Sequence, residues 1–299
     1  MKNYNDIATD GGSDVMGQVA EQHDRLGRRL KRIGSMIAVM SGKGGVGKST
    51  VTASLADALT RRGIRTGVLD ADLNGPCMAR MMGVRDFKPS PKNGSMTAAR
   101  NEFGIPVMSM GMFLPDERTP LVWDANSQRG AYTWRSMVEM SALRELLSDT
   151  DWGDLDILLI DLPPGAERLQ NLVDLLPNLA GAIVVTTPSV VAMKVVGRSI
   201  SMATDITNVE VVGVIENMSV VVCPACGHQD KFFGETSIVK DLAAAHDVPY
   251  LGEIPFDHRL ADCLDHGQSY LQTYRSKPAA TAILSIAERV FSWTKTESS

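Results

Sequence analysis

Short, almost wholly apolar runs recur along the chain, separated by longer stretches in which apolar residues return every three or four positions. The runs fall at residues 36–40, 66–69, 105–110, 156–160, 182–186 and 211–215. Each has the length of a strand. Ile157-Leu158-Leu159-Ile160 lacks the apolar/polar alternation of a sheet with one wet face, so it suits a strand covered on both sides. Between the first two runs, Val51, Leu55, Ala58 and Leu59 repeat at helical spacing, and Gly63 offers a C-terminal cap. This alternation predicts an α/β fold, a doubly wound, mostly parallel sheet with helices on both faces.

The ends read differently. Residues 1–14 are rich in Asn, Asp, Gly and Ser and are expected to be disordered, whereas Val15, Val19, Leu26, Leu30 and Ile33 fit one face of a helix. The basic run at 25–32 is either the solvated side of a helix packed on the domain or a docking arm. Residues 84–104 and 111–135, rich in Pro, Gly and polar side chains, are expected to be long connections, which in compact domains are usually functional or mobile. Residues 279–293 predict a closing helix followed by a polar tail. The expected organisation is a tail with a possible helix at 1–34, one α/β domain at 35–276, and a C-terminal helix and tail at 277–299.

Composition narrows the function classes. With 299 residues and 44% hydrophobic side chains the chain can bury a large core, and its net charge of −5 gives no global attraction to nucleic acid, so no nucleic-acid partner is expected. No apolar stretch approaches the roughly 20 residues that span a bilayer, and residues 1–35 are too polar for a signal-peptide core. A cytoplasmic protein without stable membrane association is the expectation. Four cysteines, only two of them close together, make no disulfide framework and read as reduced thiols or metal ligands.

The candidate chemistry begins right after the first apolar run, at Gly42-Lys43-Gly44-Gly45-Val46-Gly47-Lys48-Ser49, followed by Thr50. The glycines let successive backbone N–H groups turn toward one anion, Lys48 can reach β/γ-phosphates, and Ser49 offers a hydroxyl to Mg²⁺ at a helix N-terminus. Lying between a strand and a helix, the segment is read as the phosphate-binding loop of a nucleoside triphosphate site. The extra Lys43 is read as pointing across a subunit interface at a partner's nucleotide, although a lysine on a loop is usually just solvated. Two further strands end in carboxylates, Asp70-Ala71-Asp72 and Asp161-Leu162-Pro163-Pro164-Gly165, where such sheets bind ligands. Asp161 is the candidate to hold Mg²⁺ through a water, and Asp70 or Asp72 to orient an attacking water.

A second constellation is Cys223-Pro224-Ala225-Cys226-Gly227. Two-residue spacing aims both thiolates at one centre, and Gly227 permits the tight turn. That is half a site, because a tetrahedral metal or a cubane cluster takes about four ligands and Cys77 and Cys263 stand alone in the sequence. Two chains about a twofold axis would supply four thiolates, and the same dimer would let each Lys43 reach across. Zinc completed by His228 and one more ligand, or a redox dithiol, would also use this spacing. Cys77, beside the aspartates, reads as a small core residue.

Taken together, SGKGGVGKST at 41–50, LDADLNGP at 69–76, WGDLDILLIDLPPG at 152–165, VVTTPS at 184–189 and VIENMSVVVCPACG at 214–227 resemble the deviant Walker A ATPases of the Mrp/ApbC type. These are iron–sulfur cluster carriers related to Min-type and ParA-type ATPases, with a SIMIBI-type P-loop NTPase fold. The resemblance spans roughly residues 34–270. It implies a homodimer that sandwiches ATP with Lys43 acting in trans, aspartates serving Mg²⁺ and slow hydrolysis, and Asn217 contacting the adenine. It also implies that Cys223 and Cys226 hold a bridging [4Fe-4S] cluster destined for apo iron–sulfur client proteins. Asn217 can equally be a polar cap at a strand end.

The chain departs from that pattern in two places. After Pro163-Pro164-Gly165 the family usually continues Thr-Gly-Asp, whereas this chain has Ala166-Glu167-Arg168, which removes a hydroxyl and a carboxylate from a loop that senses the γ-phosphate. Trp134-Arg135-Ser136-Met137 replaces Trp-Arg-Gly-Pro, after a stretch from 123 to 133 that looks inserted. Two other readings stay open: a Min/ParA-like positioning ATPase, and an ATPase with a structural zinc knuckle.

Overall fold

The computed structural model describes residues 25–92, 94–114, 131–223, 225–231 and 237–297. Its strands are β1 (Ile33–Met40), β2 (Thr66–Asp70), β3 (Pro91–Lys92), β4 (Ser95–Thr97), β5 (Ala99–Arg100), β6 (Pro106–Ser109), β7 (Thr150–Asp151), β8 (Leu155–Asp161), β9 (Gly181–Thr186), β10 (Val211–Val222), β11 (Gln229–Asp230) and β12 (Tyr250–Phe256). The main sheet runs β11-β10-β9-β1-β8-β2-β6-β5, with β12 also on β10. Every pairing in it is parallel except β10 with β11 and β5 with β6. β3, β4 and β7 form a small second sheet.

The helices are α1 (Lys48–Thr60), α2 (Met78–Met81), α3 (Ala131–Asp149), α4 (Glu167–Leu175), α5 (Val190–Ser201), α6 (Ser237–Ala245), α7 (His258–Asp265), α8 (Tyr270–Thr273) and α9 (Pro278–Glu297). The apolar strands behave as their composition requires: β2, β6 and β9 are buried along their whole length. α1 is buried from Val51 through Leu59, with α9 packed against it. Gly63 caps it as expected, in the left-handed region at φ 81°. Gly63 N–H donates to the Thr60 carbonyl and Ile64 N–H to the Leu59 carbonyl, the paired bonds of a Schellman turn.

Two boundaries differ from the sequence expectation. Residues 84–104 are not a bare connection but carry β3, β4 and β5, strands of two or three residues that are too short to show a period. The run at 211–215 continues to Val222, through a break in register between Asn217 and Val221 where Met218 takes φ 57°. Asn217, which could have capped a strand end, is instead buried within β10 beside Glu216.

The basic run resolves into specific pairs. Residues 25–30 are helical, with Leu26 buried, while Val15 and Val19 lie outside the described residues. Arg25 meets Asp149 at 3.8 Å, Arg29 meets Asp151 at 3.4 Å, and Arg32 meets Asp154 at 2.9 Å and Asp151 at 3.9 Å. Arg29 also bonds Ser95. The segment is therefore packed on the domain, and these arginines face an acidic edge of the same chain. The proposed insertion at 123–133 falls largely outside the described residues.

Exposed ion pairs contribute about 0.2–1 kcal/mol each and are screened by salt. Replacing Arg29 and Arg32 together with Gln should lower the urea midpoint at low ionic strength, with the difference shrinking in about 1 M NaCl. Urea denaturation at the two salt concentrations measures this.

Candidate functional site

The phosphate-loop motif connects the end of β1 to α1, and its shape depends on what lies around it. Gly47 adopts φ 80°, and a Cβ there would come within 2.2 Å of the Asn217 amide nitrogen, so only glycine fits. At Gly42 a Cβ would meet Val195 of α5 at 2.6 Å. The Gly165 N–H donates to the Ser41 carbonyl at 3.0 Å, which ties the loop after β8 to the start of this one.

β8 lies between β1 and β2, in register so that Asp161 is opposite both Val39 and Asp70. This sets the Asp161 carboxylate, which has no solvent exposure, under the first turn of α1. The Lys48 ammonium lies 2.7 Å from Oδ2, Ser49 Oγ donates to Oδ2 at 2.6 Å, and Thr52 Oγ1 donates to Oδ1 at 2.7 Å. The buried charge thus has an opposite charge and a hydroxyl on each oxygen. Thr52 escaped the sequence reading, although its spacing of three from Ser49 puts it on the same helix face. Thr50 is half-buried, and its carbonyl accepts from Ser54. Lys43 is exposed on the outer rim, where its carbonyl accepts from Ser41 Oγ at 3.0 Å.

The two aspartates after β2 are not equivalent. Asp70 is fully buried and accepts from the backbone N–H groups of Cys77 and Met78 and from Ser109 Oγ, each at 2.9 Å, and from the Asp72 N–H at 3.2 Å. Burial, and after it the Asp161 charge, push its carboxyl up to about 7 against the opposing hydrogen bonds and Lys48. Asp70 thus braces residues 70–78. Asp72 is half-buried and accepts from the Gly75 N–H at 3.1 Å. Cys77 is half-buried against the core, and burial, then Asp70, push its thiol up to about 12.

β10 passes behind the phosphate loop and ends at the cysteine pair. Asn217, 4% exposed, donates from Nδ2 to the Val46 carbonyl at 2.9 Å, so it props the phosphate loop from behind. Its neighbour Glu216 has no exposure. One Glu216 oxygen accepts from Tyr250 Oη at 3.0 Å, and the other has no partner among the described residues. Burial, with the Glu253 charge in support, pushes this carboxyl up to about 7.

Beyond Val222 the chain folds back through β11 to make a hairpin. The Cys223 N–H donates to the His228 carbonyl at 2.8 Å and the Gly227 N–H to the Cys223 carbonyl at 2.9 Å, with Gly227 at φ 73°. The Cys223 thiol is held below its ordinary range by the N–H groups of Cys226 and Ala225 and then by the Cys226 side chain. Cys223 is half-buried, Cys226 exposed and Cys263 buried elsewhere. Among the described residues no group of three or more His, Cys, Asp or Glu side chains gathers at one point.

The departure after Gly165 has a structural counterpart. Ala166 provides no side-chain cap to α4, the Glu167 side chain is 66% exposed, and Arg168 pairs with Glu139 of α3 at 3.2 Å. No motif or spacing marked Glu139 beforehand.

A loop of this kind at the head of a doubly wound parallel sheet, with lysine, hydroxyls and a strand-end aspartate converging beneath it, defines a P-loop NTPase. The chain belongs to the ParA family of P-loop NTPases, matching over residues 32–291 the family model described as NUBPL iron-transfer P-loop NTPase. It is 39% identical to an iron–sulfur cluster carrier protein of Methanocaldococcus jannaschii, over 85% of this chain and 83% of that one. A protein of the same description from Saccharolobus solfataricus is 36% identical, over 92% and 89%. Among solved structures, a nucleotide-binding protein from Archaeoglobus fulgidus in complex with ADP superposes with a TM-score of 0.70 at 33% identity, over 85% and 94% of the two chains. The cell division ATPase MinD of Pyrococcus furiosus shares the fold, with a TM-score of 0.59 at 21% identity over 87% and 99%.

Glu216 makes stability depend on pH. Its carboxyl titrates at 4.5 ordinarily and at about 7 when folded. Between those values the folded state keeps the proton that the unfolded state has lost, so stability falls as pH rises and the full penalty is present above about 7. Glu216→Gln should therefore be more stable than the parent at pH 8, by up to about 3 kcal/mol, and little different near pH 4.5. Chemical denaturation at the two pH values checks the sign.

Proposed function

We propose that this protein is an ATP-binding iron–sulfur cluster carrier that works as a homodimer, holds a [4Fe-4S] cluster between its subunits and passes it to apo client proteins. The observation that carries the reading is the half-site at the end of β10. Cys223 and Cys226 share one turn with backbone N–H groups directed at sulfur, and cluster iron takes about four thiolates. A second copy about a twofold axis supplies the other two. Membership of an iron-transfer family favours iron–sulfur over zinc, which the spacing alone would equally allow.

On the nucleotide side, Lys48 and the loop N–H groups take the β- and γ-phosphates. Magnesium prefers oxygen ligands, and the Ser49 hydroxyl beside the Asp161 carboxylate offers that donor set; bound there, the ion would neutralise phosphate charge. The arrangement fits. Asp72, the less buried of the two strand-end aspartates, orients the attacking water while Asp70 shapes the segment that carries it. Lys43, exposed on the rim, reaches the partner's nucleotide. Asn217 links phosphate loop and cysteine hairpin through one strand, so ATP binding and slow hydrolysis change how the two cysteine pairs face each other. Among the described residues no helix is long and apolar enough to cross a membrane, and the clients are taken to be proteins.

Anaerobic reconstitution should give one four-iron cluster per dimer, with brown colour and iron and sulfide in equal amounts. Cys223→Ala should lose all three, and retained iron in that variant, or stoichiometric zinc in colourless parent protein, would refute the cluster assignment. Lys48→Ala should weaken ATP binding by at least about tenfold and slow cluster transfer to an apo acceptor in parallel. Normal transfer by this variant would show that nucleotide is not needed.

A further inference from the structure

Glu139 receives one segment on each of its oxygens. Asn74 Nδ2 donates to Oε1 at 3.0 Å and Arg168 Nη1 donates to Oε2 at 3.2 Å, and 12% of the Glu139 side chain is exposed. Asn74 lies two residues beyond Asp72, and Arg168 lies in the first turn of α4, directly after the loop that begins at Asp161. One carboxylate on α3 therefore joins the two strand-end segments that flank the nucleotide site. The cleft around it is lined by apolar side chains including Leu73, Met140, Leu162 and Leu172, and its free volume is about 30 Å³, room for one water.

α3 is anchored elsewhere as well. Leu143, Leu146 and Leu147 are buried in the core, and Asp149 at its C-terminal end pairs with Arg25 of the basic segment. Ten residues, roughly 15 Å of helix, separate Glu139 from Asp149. A helix held in this way moves as a unit, so a shift of either loop is felt along its length.

We propose that Glu139 is a positioning residue: it locks the segments bearing Asp72 and Asp161 to each other and makes α3, with the basic segment at its end, follow the state of the nucleotide site. Arg168, which stands in a departure from the family pattern, supplies one arm of that joint. The inference rests on the nucleotide reading given above.

Hydrogen exchange followed by mass spectrometry on the full chain, with and without saturating Mg²⁺ and a non-hydrolysable ATP analogue, separates the two. In the parent protein, peptides covering 42–50 and 137–149 should both exchange at least about twofold more slowly with nucleotide. In Glu139→Gln, which presents an amide donor where one of two donors must be accepted, the 42–50 response should persist and the 137–149 response should disappear. The charge-swapped pair Glu139→Arg with Arg168→Glu should regain part of it, which general loss of packing would not do. Should Glu139→Gln not fold, Arg168→Gln, which removes a single arm, should show the same loss at 137–149 to a smaller extent. A helix response in Glu139→Gln equal to that of the parent overturns the inference, as does a parent in which only 42–50 responds. A parent in which neither segment responds sinks the nucleotide reading, and this inference with it.

Discussion

A carboxylate with no solvent exposure beneath the phosphate loop is the constraint on which the rest depends. An uncompensated buried charge costs several kcal/mol, and here Lys48, Ser49 and Thr52 are held within 2.7 Å of the Asp161 carboxylate. Those three residues occupy the first turns of α1, and Asp161 ends β8 between β1 and β2. The interaction therefore fixes helix to sheet and selects the loop conformation between them. In the proposed function, phosphate and magnesium would engage these same groups.

β10 extends that arrangement outward. Asn217 touches the phosphate loop at one point along the strand, and six residues on, at most roughly 20 Å away, Cys223 begins the hairpin turn. Between them lies the register break at Met218, where the strand can bend without losing its place in the sheet. The strand thus joins a phosphate-loop contact to the cysteine turn with no separate relay. On the opposite flank, α3 has a comparable position, bonded to the loops after β2 and β8 at its middle and to the basic segment at its end.

Much of the fold was legible because parallel strands covered on both faces must be apolar throughout, and such runs stand out at residues 36–40, 156–160 and 182–186 without any partner being known. The phosphate loop and the cysteine pair were legible for a related reason: their geometry is local, set by residues within eight and four positions of one another. The β3, β4 and β5 segments were not, since two or three residues carry no period.

Sequence alone determined the class of sheet, the loop at its head, the presence of strand-end carboxylates and the closely spaced cysteine pair, all properties of neighbouring residues or of repeating patterns. Tertiary structure decided which carboxylate does what. Burial with four hydrogen-bond donors made Asp70 a brace and left Asp72 more open, although the two are separated by one residue. It also set the arginines at 25, 29 and 32 against Asp149, Asp151 and Asp154, more than a hundred positions away, and bonded Glu139 to a loop residue and to one in α4. Such pairings depend on how strands and helices are brought side by side, and a charge in a sequence has no mark of the distant charge it will meet.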